Sequence, residues 1–303
     1  MILRIAMLLS IILSVSSCTL VGRAKTAVTH LLMACPGNGQ QYELDPQYEG
    51  HFVPVNLSSY EEQLYSYQHE FHVNNLATFN YRDQDFAIHQ IRRIGEHATK
   101  KLLIFVATHG YEFAPIWTVP KLLDDIMRQT VMYRRWDIQI ITPINPVGVQ
   151  YASRWNQDGC DINRDFKAFG TLGAQIQRDA INSFRPDVIV SLHEAPNPGF
   201  FVFAEASTPD YLVELISSRL DESEFKLAER SYFGNKLEYP GVWHKGSAPY
   251  LLQTLVGMHT LGRYANKLDV PTLTTESSWK EVDLSKRVMP HLTVIRAVIE
   301  GYR

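Results

Sequence analysis

No Gly-x-Ser-x-Gly elbow occurs anywhere in the 303 residues, which argues against a serine hydrolase of the usual α/β type. Neither a Gly-x-x-x-x-Gly-Lys phosphate loop nor a Gly-x-Gly-x-x-Gly turn is present, so nothing points to a nucleotide. The chain also lacks an excess of positive charge. Its 29 Lys and Arg are dispersed and slightly outnumbered by 32 Asp and Glu, which excludes a nucleic-acid-binding surface as the leading idea. The His-Glu-x-x-His zinc pattern is missing too, because His193-Glu194 is followed by Ala195, Pro196 and Asn197. Internal repeats and low-complexity tracts are absent as well, and one α/β core of about 285 residues beyond an N-terminal leader is of ordinary size.

What the chain does carry is five short fragments: His109-Gly110-Tyr111-Glu112, Arg154, Asn163-Arg164, His193 and Glu276. They supply two imidazoles and a carboxylate for a metal, two guanidiniums and an amide for an anionic substrate, and a separate carboxylate for proton transfer. Lys101 to Ala107 is an apolar run of strand length, which places His109 just past a strand's carboxyl end. Asp187 to Leu192 is a second such run, and Pro196, Pro198 and Gly199 break regular structure soon after His193. Open α/β sheets bind ligands outside the carboxyl ends of their strands, so both histidines fall where a site is expected.

The residue types suit zinc chemistry. Catalytic zinc takes three protein ligands and leaves a position for water, and His, His and Glu form one of the recognised sets. Such a Lewis acid activates water and polarises a carbonyl, and a carboxylate outside the ligand set must then move the proton to the leaving nitrogen. Glu276 is the candidate, since Val270 to Thr275 reads as a short strand delivering it to the same sheet edge.

Asn145-Pro146-Val147-Gly148, then Arg154, then Asp158-Gly159-Cys160-Asp161-Ile162-Asn163-Arg164-Asp165-Phe166 closely resembles the signature of the zinc carboxypeptidase superfamily. That group includes carboxypeptidase A, murein peptide amidases, and the aspartoacylase and succinylglutamate desuccinylase branch. The resemblance runs from about Leu102 to Ser278. It implies that His109, Glu112 and His193 bind one zinc ion per chain, that Arg154 stabilises the oxyanion, and that Asn163 and Arg164 hold the substrate's carboxylate. Glu276 would be general base and acid, and Asp161 would orient His109. An Arg fork fits carboxylate oxygens as Lys cannot, and a ligating His usually donates its other ring N–H to a carboxylate.

The Arg154 to Asn163 interval is similar to the amidase branch, whereas Tyr111 stands where those relatives and the deacylases often carry Asp. Carboxypeptidases use a mobile Tyr upstream of the general base; Tyr239, Tyr250 and Tyr264 are on offer, and none is assigned. Glu194 and His244 are read as lying outside the site.

The expected activity is hydrolysis of an amide bond next to a free carboxylate, in a peptide or a muropeptide, by metal-activated water. An N-acyl amino acid deacylase shares the metal and arginine parts; a binding protein that has lost turnover is the reading from another class.

Residues 1–17 look like an export signal: Arg4 gives a positive start and Ile5 to Val15 an apolar core too short to span a bilayer comfortably. Val15-Ser16-Ser17-Cys18 resembles the bacterial lipoprotein box, which would put lipid on Cys18 and the protein in the periplasm or on a membrane. Removing 1–17 deletes only Arg4 among charged groups and moves the formal net charge from −3 to −4. Residues 18–303 would then be the catalytic domain. Cys35 and Cys160 are read as separate buried thiols, although an oxidising compartment would permit a bridge.

The remaining pattern alternates. Helices are expected over 60–72, 116–132, 171–184, 211–220, 249–268 and 284–299, a hairpin over 76–94 turning near Arg82-Asp83, strands over 136–144 and 200–204, and a loop over 234–248. The fold class is α/β, one mostly parallel or mixed sheet with helices on both faces.

Overall fold

Runs that are almost wholly buried make the middle of the sheet, and a mostly exposed run makes one edge. In chain order the elements of this computed structural model are α1 (Leu57–Ser66), β1 (His72–Tyr81), β2 (Gln84–Ile94), β3 (Lys100–Val106), α2 (Ala114–Arg128), α3 (Thr130–Tyr133) and β4 (Trp136–Thr142). After these come α4 (Pro146–Gln150), a 3-10 turn (Ile162–Arg164), α5 (Leu172–Phe184), β5 (Val188–Ala195), β6 (Phe201–Ala204) and α6 (Asp210–Asp221). The chain closes with β7 (Val242–His244), α7 (Leu261–Lys267), β8 (Thr272–Ser278) and α8 (Leu284–Gly301). The structure describes residues 34–35, 50–51, 53–231, 234–244 and 258–302. The leader 1–17, Cys18, Tyr250 and the first part of the helix expected over 249–268 lie outside them.

The strands form one sheet in the order β1-β2-β4-β3-β5-β8-β6-β7. Its centre, β4, β3, β5 and β8, is parallel, while β2 and β6 flank it antiparallel. Alternation along the central strands decides which helices cover which face. Leu102, Ile104 and Val106 join Val188, Val190 and Leu192 in a core with residues of α2, α6 and α8. Leu103, Phe105 and Ile189 point the other way, into a core with residues of α5 and α7.

Several boundaries differ from the sequence reading for local reasons. The first helix starts at Leu57 because the Asn56 side chain accepts from the Ser59 N–H at 2.9 Å, a helix cap. The hairpin begins at His72, since β1 is a mostly exposed edge strand whose polar residues hide its period. Its turn falls at Arg82-Asp83, with φ of 51° and 61°, the left-handed pair of a two-residue hairpin. The helix expected over 116–132 is interrupted at Gln129, and the expected loop over 234–248 contains β7. Within the described residues, the helix expected over 249–268 is confined to α7.

Two strands run further than their apolar letters suggested. β5 continues through His193 to Ala195, and β8 through Glu276 to Ser278. His193 therefore lies inside a strand and not just past one.

Polar partners behind the sheet permit this. Glu194 faces α2 and α8, where Arg287 donates to it from Nε and Nη2, both at 2.7 Å, with neither side chain exposed. Glu194 also accepts from the Ala114 N–H at the start of α2 (3.0 Å) and from Ser277 Oγ (3.1 Å). His291 of α8 lies beside them, 2.7 Å from Thr275 Oγ1 and 3.1 Å from Ser277 Oγ. Burial lowers its pKa to about 3, so it is neutral at pH 7.

Cys35 and Cys160 form a disulfide across 125 residues of sequence, which corrects the expectation of two separate thiols. Beside it the Asp161 N–H donates to the Ala34 carbonyl at 2.6 Å. Among the described residues, no helix is long and apolar enough to cross a membrane.

Candidate metal centre and active site

β3 delivers the first ligand fragment. Ala107, at φ 59°, turns the chain at the strand's end, and His109 and Glu112 follow on one turn, with Glu112 N–H donating to the His109 carbonyl at 3.3 Å. The turn packs directly on the next loop. A Cβ on Gly110 would sit 1.8 Å from the Gly148 carbonyl carbon, so glycine is required at 110. Asn145 explains another part of the signature: its side chain accepts from Gly148 N–H (2.9 Å) and donates to the Arg154 carbonyl (3.3 Å), fixing the loop that carries Arg154.

His109, Glu112 and His193 converge, all buried, with ligand atoms within 4.8 Å of one another. His109 Nδ1 lies 2.7 Å from Glu112 Oε1, and His193 Nδ1 lies 2.8 Å from Glu112 Oε2. The two Nε2 atoms turn away, to Asp161 Oδ1 (3.2 Å) and Ser191 Oγ (3.0 Å). Both imidazoles thus present Nδ1 to one point and are held from behind, the arrangement that orients metal-ligating histidines. Two nitrogens and a carboxylate suit a divalent metal of the zinc type.

Electrostatics within this group are uneven. Burial pushes the Glu112 carboxyl up, but the two imidazoles outweigh it and bring it down to about 2. Burial and the Arg154 charge push His109 down, yet Glu112 and Asp161 leave it raised. His193 ends lowered, chiefly by burial. The two imidazoles are therefore shifted in opposite directions, His109 above and His193 below the ordinary histidine value.

Arg154 borders the same point. Its Nε and Nη2 lie 2.8 and 2.7 Å from Asp161 Oδ2, and Nη1 donates to Tyr111 Oη at 3.0 Å while lying 3.4 Å from His109 Nδ1. Burial opposes its charge, but Asp161, Tyr111 and Glu112 raise its pKa well above the ordinary value, so it stays a cation. Asp161 is buried too, which raises its pKa, but Arg154 and His109 hold it well below the usual carboxylate range.

Asn163 and Arg164 sit half-buried on the 3-10 turn beyond Asp161. Asn163 Oδ1 accepts from the Leu261 N–H at 2.9 Å, the first residue of α7, which leaves the amide nitrogen as its donor end. Arg164 Nη1 donates to the Asn163 carbonyl at 3.0 Å. Glu276 is in register with His193 on the adjacent parallel strand, so the two side chains share a sheet face at about 4.8 Å strand spacing. It is 6 % exposed.

Glu194 and His244 stand outside the group: Glu194 faces the other side of the sheet, and His244 Nδ1 lies 3.3 Å from Asp210. Two members were not picked out from sequence as site residues. Ser191 was legible in principle, because two residues before His193 in a strand means the same face. Tyr111 showed only as a departure from a pattern; its partner Arg154 is 43 residues away.

The family model of the succinylglutamate desuccinylase/aspartoacylase catalytic domain matches residues 98–194. A solved structure from Shewanella denitrificans, designated only a candidate metallopeptidase, superposes at TM-score 0.64 with 18% identity, over 86% of this chain and 98% of that one. A metallo-carboxypeptidase from Burkholderia cenocepacia gives 0.61 at 16% identity, over 82% and 69%. A succinylglutamate desuccinylase from a Silicibacter species gives 0.50 at 14%, over 77% and 67%. No curated protein matches the sequence. The fold is the one shared by these metallopeptidase, metallo-carboxypeptidase and desuccinylase structures.

Proposed function

We propose that this chain is a zinc-dependent hydrolase that cleaves an amide bond next to a free carboxylate. The observation that carries the reading is the convergence of His109 Nδ1, His193 Nδ1 and Glu112 on one buried point, with Arg154 Nη1 3.4 Å from the first of them. Zinc held by His109, Glu112 and His193 supplies Lewis acidity toward a carbonyl and a water. Arg154 faces the carbonyl oxygen and offsets the charge it gains. Glu276, beside His193, takes the proton from the attacking water and passes it to the leaving nitrogen. Asn163 and Arg164 bind the substrate carboxylate through the amide nitrogen and the guanidinium. Asp161 holds His109 Nε2 and Arg154 together, so ligand and oxyanion group share one support.

A second reading, an N-acyl amino acid deacylase, is favoured by the family model over residues 98–194. Zinc-loaded protein assayed against N-acetyl dipeptides, murein tripeptide, N-succinylglutamate and N-acetylaspartate separates the two. Peptide or muropeptide hydrolysis is expected, with Glu276→Gln keeping its zinc while kcat falls about 10²-fold or more. Activity on the N-acyl amino acids alone would move the assignment to the deacylase. Ligand binding with no turnover, unchanged in Glu276→Gln, would leave a binding protein.

Export, with or without lipid on Cys18, goes with the first reading, and the Cys35–Cys160 bridge supports it. Protein taken from cells without reductant should show this pair closed to alkylation. Two free thiols there would count against export.

A further inference from the structure

Between the two ligands of the first fragment stands Tyr111, a residue the proposed chemistry does not use. It is 6 % exposed, and its ring meets Trp279 edge-on at 5.5 Å between centroids and tilts against His109 at 6.3 Å. Phe113, Ala152 and Trp279 share its apolar cluster, with Val53 and Val55 packed against it. The hydroxyl accepts from Arg154 Nη1 at 3.0 Å.

The Arg154 guanidinium has five N–H groups in one plane. Asp161 Oδ2 occupies the Nε and Nη2 edge at 2.8 and 2.7 Å. A single carboxylate oxygen leaves the plane free to tilt about that contact, so a second fixed point is needed to set it. Tyr111 provides one on the opposite nitrogen. Nη1 carries two hydrogens; with one directed to Tyr111, the other is aimed toward the side on which His109 Nδ1 lies, 3.4 Å away. With its buried ring packed against His109 and Trp279, Tyr111 offers the guanidinium an acceptor held by its own contacts.

We propose that Tyr111 is a positioning residue that fixes the plane of the Arg154 guanidinium, so that one Nη1 hydrogen meets the carbonyl oxygen of the substrate as charge develops there. The inference rests on the oxyanion role proposed for Arg154. Misplacement of a catalytic group by about 1 Å costs up to about 10²-fold in rate, and a donor that is loosened without being lost should cost less.

Tyr111→Phe tests this, since it keeps the ring against Trp279 and His109 and removes one oxygen. On an N-acetyl dipeptide or N-succinylglutamate, whichever the wild type cleaves, kcat should fall about tenfold with KM within twofold. Affinity for the phosphonate analogue of that substrate, measured by calorimetry, should fall by the same factor, while affinity for the amino acid product holds. A readout independent of turnover is the NMR signal of the Arg154 guanidinium, assigned by its absence in Arg154→Lys: rotation about its Cζ–Nη bonds should be faster in Tyr111→Phe. Unchanged rotation would overturn the proposal, as would kcat and phosphonate affinity within twofold of wild type. If Arg154→Lys lowers kcat about 10²-fold while Tyr111→Phe does nothing, the Tyr111 inference alone fails. If Arg154→Lys also does nothing, the oxyanion reading fails and takes the inference with it.

Discussion

Arg287→Met is expected to cost about 3–5 kcal/mol of folding stability, because it leaves the fully buried Glu194 carboxylate without its counter-charge. Neither side chain has any exposed surface, and the pair is bidentate at 2.7 Å. Glu194 would keep the Ala114 N–H and Ser277 Oγ, which satisfy its lone pairs but not its charge. Replacing both partners, Glu194→Met with Arg287→Met, removes the charge as well and should be less damaging than Arg287→Met alone. Loss of the Ala114 and Ser277 hydrogen bonds still costs the double variant about 1 kcal/mol each. Urea unfolding of wild type, Glu194→Met, Arg287→Met and the double variant checks the ordering. Additive losses, or a single-variant cost below about 1 kcal/mol, would show that the pair does not act as a unit. A partial effect on turnover should accompany the loss, since Glu194 and Ser277 follow His193 and Glu276 in register on the same two strands.

The other large effect belongs to the metal. Removing zinc by chelation should lower stability by about 4 kcal/mol for wild type held at a thousand times its dissociation constant, and abolish hydrolysis. His109→Ala and His193→Ala should show neither the metal-dependent increment nor turnover. The affinity should also depend on pH. Ligation needs both imidazoles without a proton on Nδ1, and the raised pKa of His109 moves upward the pH range in which protons compete with a metal there. Apparent affinity should therefore fall on acidification, by about tenfold per pH unit once pH lies below the His109 pKa. A pH-independent affinity would mean that His109 is not a ligand.

How far these features could be seen in the letters depended on the distance to the partner. Leu102 to Val106 are apolar and buried on both faces, so the strand that presents His109 was legible from its own residues. The apolar run ends at Leu192 and Pro196, Pro198 and Gly199 follow, so sequence alone puts His193 and Glu194 just past the strand. They stay in β5 because Ser191 holds one and Arg287, 93 residues on, neutralises the other. The apolar letters start the hairpin only at Leu76, because the exposed face of β1 gives no apolar period. The disulfide spans 125 residues, and no local pattern could have joined Cys35 to Cys160. Asp161 lies 52 residues from His109, and Asn163 Oδ1 accepts from the Leu261 N–H 98 residues away. Resemblance supplied what spacing could not: it joined these fragments into one group, and the structure links His193, Glu112, His109, Asp161 and Arg154 in one connected set of contacts.

Metal content tests the central claim most directly. Wild type, His109→Ala and His193→Ala, purified alike and dialysed against zinc at a fixed low concentration, are analysed by elemental mass spectrometry. One zinc per wild-type chain and a substoichiometric residue in both variants is the expected result. Stoichiometric zinc retained by both variants would contradict the assignment of His109, Glu112 and His193 as the metal centre.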